Sequence, residues 1–289
     1  MKLHSPATIA DIKERYNFRL SKSLGQNFIT DRSVIERIVD GSGAGPDDLV
    51  IEIGPGIGVL TDEAADRAGH VTAIEIDSKL IPILGETLAG HDNVDIVNQD
   101  ILKTDLNALI EARRSEGIFT GDVMIIGNLP YYITTPIIMK ILESGVRASS
   151  ITIMMQKEVA DRIKALPGNK TYGALSVAVQ YYCTVEQVAK VPKEVFVPRP
   201  KVDSSVLKLT LRTEKPVGLT DEKTFFACIK AGFGQRRKTL LNSLTGVRGL
   251  SKDAVRDVLE SAGIDPVRRA ETLDIKEFAA IANEVTARL

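Results

Sequence analysis

Between residues 49 and 156, five strand-length apolar runs alternate with segments of helical period. No other feature narrows the possible folds as much. The runs are LVIEIG (49–54), HVTAIEID (70–77), VDIVNQD (94–100), VMIIGN (123–128) and ITIMMQ (151–156). They are rich in β-branched residues and nearly continuously apolar, as strands are when both faces of their sheet are covered. Helical segments at 61–68, 78–89, 106–114 and 135–143 fill the gaps, with Thr61 and Ser78 as expected N-caps. The alternation predicts an α/β fold built on a doubly wound, parallel sheet.

The flanks read differently. Upstream, a helix is expected at 7–18, followed by the turn-rich LSKSLGQNFITD. A second helix then begins at Asp31, with Val34, Ile35, Ile38 and Val39 on one face. Downstream, KEVADRIKA (157–165) reads as helix, LPGNK as loop, and 174–183 and 205–211 as β segments. Beyond residue 219 only helical patterns remain, at 221–231, 237–244, 251–262 and 275–289. Pro and Gly in EKPVG (214–218) mark the change, so a larger domain (1–216) and a helical domain (217–289) are expected.

Composition removes several classes of function. No apolar stretch reaches the roughly 18 residues of a membrane span, and the polar, mixed-charge first twenty residues do not resemble a secretory signal. Cys183 and Cys228 are far apart and lack metal-ligand spacing, so neither a disulfide nor a metal site is expected, and a cytoplasmic location fits. His4, His70 and His91 lie near no nucleophile motif, which leaves triad chemistry without parts. With 37 basic and 38 acidic residues, net charge is uninformative about nucleic acid. Locally, however, basic residues predominate from Arg199 and Lys201 to Arg236, Arg237 and Lys238. The last three are expected to begin a helix. Such a cluster is either a phosphate-binding patch or a solvated face.

EIGPGIGVLT (52–61) sits where the first run hands over to a helix. Gly54, Gly56 and Gly58 permit a tight turn and close backbone approach to a ligand. Glu75 and Asp100 end the next two strands, at the sheet edge where ligands bind in open α/β folds. The spacing is G-x-G-x-G, not the G-x-G-x-x-G that makes room for pyrophosphate. A zwitterionic nucleoside such as S-adenosylmethionine suits it: glycine backbone for the amino-acid end, Glu75 for the ribose, Asp100 for the adenine amino group. The alternatives are a dinucleotide and a bare turn with two unremarkable acids.

The fourth run delivers Asn128, Leu129, Pro130 and Tyr131 to the same edge. Methylating an adenine amino group needs acceptors that orient a nitrogen whose lone pair is delocalised. Asn128 offers a side-chain carbonyl and Leu129 a backbone carbonyl. Pro130 restricts Leu129 to extended conformations, and Tyr131 offers a ring to stack on a base. The plain alternative is a strand-ending turn.

NLPY resembles the (Asp/Asn/Ser)-Pro-Pro-(Tyr/Phe) element of N6-adenine and other amino methyltransferases. LGQNFITD (24–31), EIGPGIGVLT, VFVPRPKVDSS (195–205), FGQRRKTLLNSL (233–244) and GIDPVRRAETLDIKEFAAIA (263–282) accompany it. Together, in this order and across nearly the whole chain, they resemble the KsgA family of small-subunit rRNA adenine dimethyltransferases. The resemblance implies a SAM-dependent methyltransferase fold of the Rossmann-like kind, closed by an antiparallel hairpin that the two later β segments would supply. It implies N6,N6-dimethylation of two adjacent adenosines in the 3′-terminal hairpin of 16S rRNA, on immature small subunits, with a part in their biogenesis. Asn27 and Ile29 would close over the cofactor, with Gln26 alongside. Gly54 and Gly56 would face its methionine end and Glu75 its ribose. Asp100, Ile76 and Ile101 would surround its adenine. Asn128 would touch both cofactor and target base, and Phe196 would stack on the base opposite Tyr131; as a lone residue it also reads as a core aromatic, but Pro198 and Pro200 point to an exposed, stiff loop. A monomer without metal or membrane is expected. The rivals are the related Erm family, which methylates large-subunit rRNA, and a ribosome assembly or transcription factor that keeps the fold without the chemistry.

Overall fold

The five apolar runs become neighbouring strands of one sheet. The structure, a computed structural model, describes residues 2–18 and 25–289. The expected leader turn at 20–31 therefore falls partly outside the described residues. The chain divides into two units, Met1–Ala160 with Thr184–Leu211 and Asp161–Cys183 with Arg212–Leu289. In order, the elements as far as the sixth strand are α1 (Pro6–Arg15), β1 (Phe28–Ile29), α2 (Arg32–Ser42), β2 (Leu49–Ile53), α3 (Val59–Ala65), β3 (His70–Glu75), α4 (Ile81–Thr87), β4 (Val94–Asn98), α5 (Leu106–Ser115), β5 (Val123–Asn128), α6 (Thr134–Glu143) and β6 (Ser150–Gln156). After them come α7 (Lys157–Lys164), α8 (Ala174–Tyr182), β7 (Cys183–Val191), β8 (Phe196–Val197), β9 (Ser204–Leu211), α9 (Glu222–Gly234), α10 (Leu240–Ser243), α11 (Lys252–Ser261) and α12 (Ile275–Thr286).

The main sheet has the order β4-β3-β2-β5-β6-β9-β7. Strands β4 through β6 pair in parallel, and β9 pairs antiparallel with β6, from Gln156 opposite Ser204 to Ser150 opposite Thr210. Every residue of β2 and β3 is buried, which is why these runs show no polar alternation. Strand order reverses between β2 and β5, and the carboxyl ends of the strands leave a crevice at such a reversal. A separate two-stranded sheet pairs β1 with β8, placing Phe28 opposite Val197 and Ile29 opposite Phe196.

Several expectations need correction. Thr61 does not cap α3, because the glycine turn runs directly into that helix and Gly58 is its N-cap. Ser78 lies outside α4, which starts after Leu80. Residues 174–182 form a helix, not a strand. ALSVAVQYY is apolar on nearly every side because it is buried in the second unit, and periodicity cannot separate a buried helix from a buried strand. The hairpin that closes the sheet is therefore β7 with β9. Residues 235–239 form a turn and α10 begins only at Leu240, so Arg236, Arg237 and Lys238 precede a helix rather than start one.

The second unit is larger than 217–289. Tyr172, Val177 and Tyr181 share one apolar core with Phe225, Cys228 and Phe278. The Tyr172 hydroxyl donates to the Leu273 carbonyl at 2.9 Å, and those of Tyr181 and Tyr182 donate to Glu222. These aromatic contacts draw 161–183 into the helical unit.

Gly127 lies where β5 approaches β2 at the crevice. A methyl group there would stand 2.8 Å from the Ile53 carbonyl oxygen and 3.2 Å from Leu129 Cδ2. Gly127→Ala is expected to lower stability by about 1–3 kcal/mol, the usual cost of overpacking. Denaturant unfolding measures this, and wild-type stability would mean that the two strands separate freely there.

Candidate active site

A cleft of about 1050 Å³, its open mouth included, occupies the crevice. Its walls are the ends of four strands. Ile53 and Gly54 follow from β2, Ile74 to Ile76 from β3, Gln99 to Ile101 from β4, and Asn128 to Ile133 from β5. Gly25 to Ile29 of the leader line it from another side. The fold thus gathers Asn27, Ile29, Gly54, Gly56, Glu75, Ile76, Asp100, Ile101, Asn128, Leu129, Pro130 and Tyr131 around one space.

All three glycines of the turn have positive φ, at +70°, +63° and +89° for Gly54, Gly56 and Gly58. A side chain at Gly54 would project into open space, whereas one at Gly56 would meet the Phe28 ring at 2.8 Å. Backbone therefore lines the cleft here, because the positive φ favours glycine at all three positions and Phe28 leaves no room at Gly56. The Glu75 carboxylate accepts from Gly56 N at 3.3 Å and Asp77 N at 2.8 Å, which fixes its direction. Burial pushes its pKa above the usual carboxylate range, against these two hydrogen bonds. Asp100 Oδ1 accepts from Leu102 N at 2.9 Å, and its other oxygen has no partner among the described residues. Ile76 is 54% exposed and Ile101 buried, giving a flat ring apolar surface beside the acid.

At the end of β5 the Asn128 side-chain NH₂ donates to the Asn27 carbonyl at 2.8 Å. That oxygen can only accept, so the amide is oriented with its nitrogen toward the leader and its Oδ1 without a partner among the described residues. Leu129 is buried, and no group among the described residues donates to its carbonyl. The Pro130 carbonyl accepts from Ile133 N at 3.1 Å and from the Thr134 hydroxyl at 3.0 Å, which locks the turn. The Tyr131 hydroxyl is 2.7 Å from Ser204 Oγ, and burial raises its pKa, so the ring is anchored and neutral.

Phe196 is placed differently from the expectation of a stacking plate. It is 3% exposed, packs in the core opposite Ile29, and does not line the cleft. Pairing with β1 turns the ring inward despite Pro198 and Pro200 just after it. Of the basic residues, Arg199 is ion-paired with Glu194, while Lys201 is exposed. In the second unit Arg236 donates to the Lys170 and Tyr172 carbonyls and lies 3.6 Å from Glu271, so it serves the fold. Arg237 and Lys238 are exposed and carry no ion pair among the described residues.

The ribosomal RNA adenine dimethylase model matches residues 17–287. The chain belongs to this family. The small-subunit rRNA methyltransferase A of Alkaliphilus metalliredigens is 54% identical over 99% of both chains, and that of Clostridioides difficile is 49% identical over all of this chain and 98% of its own. Among solved structures, a Plasmodium falciparum dimethyladenosine transferase aligns with a TM-score of 0.76 at 25% identity, covering 90% of this chain and 98% of its own. The 23S rRNA methyltransferase ErmE aligns at 0.66 with 28% identity, covering 90% and 99%.

Several parts of this dimethylase cleft carried no sequence signal of their own. Ser204, which anchors Tyr131, sits inside the quoted VFVPRPKVDSS but comes from a distant strand. Phe28 is hidden between two residues whose roles were expected. Glu52 reads as an ordinary strand residue, yet it lines the cleft at 1% exposure and the Thr61 hydroxyl donates to it at 2.5 Å. The odd acid within an otherwise apolar strand was the available clue.

Burial, with Glu75 nearby, pushes the Glu52 pKa from 4.5 to about 8. The folded chain therefore keeps a proton that the unfolded chain releases. This contribution to stability is complete below the ordinary carboxylate range and is lost as pH rises through about 8. Glu52→Gln keeps an acceptor for Thr61 and is expected to flatten the decline in melting temperature from pH 5 to 8. Identical pH profiles would show that Glu52 does not hold this proton.

Proposed function

We propose that this chain dimethylates N6 of two adjacent adenosines in the 3′-terminal hairpin of 16S rRNA, using S-adenosylmethionine. It acts in the cytoplasm, as a monomer, on immature small subunits. The observation that carries the reading is the Asn128 amide, pinned to the leader backbone beside a Leu129 carbonyl that has no donor among the described residues. The 54% identity to a small-subunit methyltransferase, against 28% to ErmE, favours the small subunit over the Erm alternative. The presence of Glu75, Asp100 and Asn128 to Tyr131 in one cleft argues against a factor that has lost its chemistry. Among the described residues no helix is long and apolar enough to cross a membrane.

The cleft's donor set fits the cofactor. The Glu75 carboxylate stands beside the glycine turn, above a Glu52 that keeps its proton, and Asp62 lies in the first turn of α3. This surrounding opposes pyrophosphate and suits a ligand bearing ammonium and sulfonium cations. The Gly54 turn would hold the amino-acid end, Glu75 the ribose, and Asp100 with Ile76 and Ile101 the adenine. Bound there, S-adenosylmethionine supplies an electrophilic methyl group.

The protein's own work is orientation. The lone pair of an adenine amino group is delocalised into the ring, so the amine is a weak nucleophile. Asn128 Oδ1 and the Leu129 carbonyl accept its two N–H bonds and favour pyramidal geometry, freeing the lone pair toward the methyl group. The Tyr131 ring, held by Ser204, stacks on the flipped base and stabilises positive charge as it develops on nitrogen. The methylated ammonium is acidic enough to lose its proton to water, so no strong general base is needed. Arg237 and Lys238 supply phosphate contacts in the second unit.

Mass spectrometry of the 16S 3′ fragment tests the reading: deleting this chain should remove all four methyl groups. Their persistence would refute it. Asn128→Ala should cut turnover about 10²-fold, the usual loss for one orienting contact, with cofactor affinity far less changed. A near-wild-type rate would remove Asn128 from the mechanism. Arg237→Ala with Lys238→Ala should reduce the salt slope of subunit binding by roughly 1–2, and an unaltered slope would place the phosphate contacts elsewhere.

A further inference from the structure

We infer that Tyr132 forms a second aromatic subsite, which stacks the base of the nucleotide next to the target adenosine in the same strand. The inference rests on the methyltransferase reading above and extends it to a neighbouring residue of the substrate. Tyr131 and Tyr132 are consecutive but have different surroundings. Tyr131 turns inward and its hydroxyl is held by Ser204. Tyr132 also lines the cleft, yet it is 60% exposed and its hydroxyl has no partner among the described residues. One side of the ring stands against the leader: a Cβ at Gly25 would be 3.6 Å from Cδ1 and Cε1 of Tyr132 and 3.2 Å from Pro130 Cβ. Gly25 has φ +60°, so the chain there favours glycine, which lets the ring and the proline flank the leader backbone closely.

The remaining surface of the ring faces water at the mouth of the space that receives the target base. A purine that leaves its helix draws the adjacent sugar and phosphate toward that mouth, and its neighbour loses a stacking partner. Unstacked bases of single-stranded loops are commonly recognised by aromatic side chains, and such stacking tolerates any base because each has a π-face. The rim position and free face of Tyr132 match this need. When the second of two adjacent adenosines occupies the cleft, the same ring can hold the first.

The test uses the full-length protein and small subunits lacking the modification. Tyr132→Ala should raise the KM for subunits at least tenfold, with the loss falling on this KM rather than on kcat or on the KM for S-adenosylmethionine. Tyr132→Phe, which keeps the π-face, should restore the wild-type KM. A 2-aminopurine placed beside the target in a hairpin RNA should lose fluorescence on binding wild-type protein but not the alanine variant. An unchanged subunit KM in Tyr132→Ala, a Phe variant as impaired as Ala, or a defect confined to the cofactor KM would each overturn the inference. No transfer by wild-type protein would instead remove the reading on which it stands.

Discussion

One hydrogen bond, from the Asn128 side chain to the Asn27 carbonyl, connects residues 101 positions apart and sets the polarity of the cleft. An amide presents an NH₂ at one end and an oxygen at the other, so anchoring the NH₂ on a carbonyl turns the oxygen the opposite way, toward a ligand. The leader contributes the partner through its main chain. It is held in turn by β1–β8 pairing, by the Thr30 hydroxyl on the Val195 carbonyl, and by Gln26 Nε2 on Asp77 Oδ2 at 3.1 Å. Phe196 belongs to this support: buried opposite Ile29, it fixes the strip of chain that orients the amide.

The cleft's electrostatics complement that geometry. The Glu75 carboxylate at the glycine turn, Asp100 beyond the β4 end and an anchored neutral phenol suit cationic and hydroxylated ligands. Among its described lining residues none is basic. The proposed contacts to an RNA backbone fall outside the cleft, on exposed cations such as Arg237 and Lys238. Several other arginines carry part of the fold. Arg248 reaches Asp221 and Thr224, and Arg268 reaches Glu277 and Thr272. Counting basic residues therefore overstates the phosphate-binding surface.

The parallel strands were legible because burial on both faces demands runs such as LVIEI and VMIIG that few other structures tolerate. The starts of α3 and α4 were not, since Thr61 and Ser78 are good caps in isolation while the glycine turn and Leu80 decide the outcome. ALSVAVQYY misled because a helix surrounded by core loses its periodicity. At the site, Glu75, Asp100 and Asn128 could be located from their places at strand ends. Ser204, the Asn27 carbonyl and the Glu52–Thr61 contact could not, because each depends on a pairing between distant segments or on the depth at which a residue is buried. Phe196 shows the converse: Pro198 and Pro200 after it suggested exposure, and strand pairing buried it.

The most direct measurement is a structure of the protein with S-adenosylhomocysteine and an RNA hairpin whose target adenosine is flipped out. The account requires the adenine N6 to lie within about 3.2 Å of both Asn128 Oδ1 and the Leu129 carbonyl oxygen, with the Tyr131 ring against the base. An adenine bound elsewhere, or an Asn128 amide rotated to present its nitrogen, would contradict it.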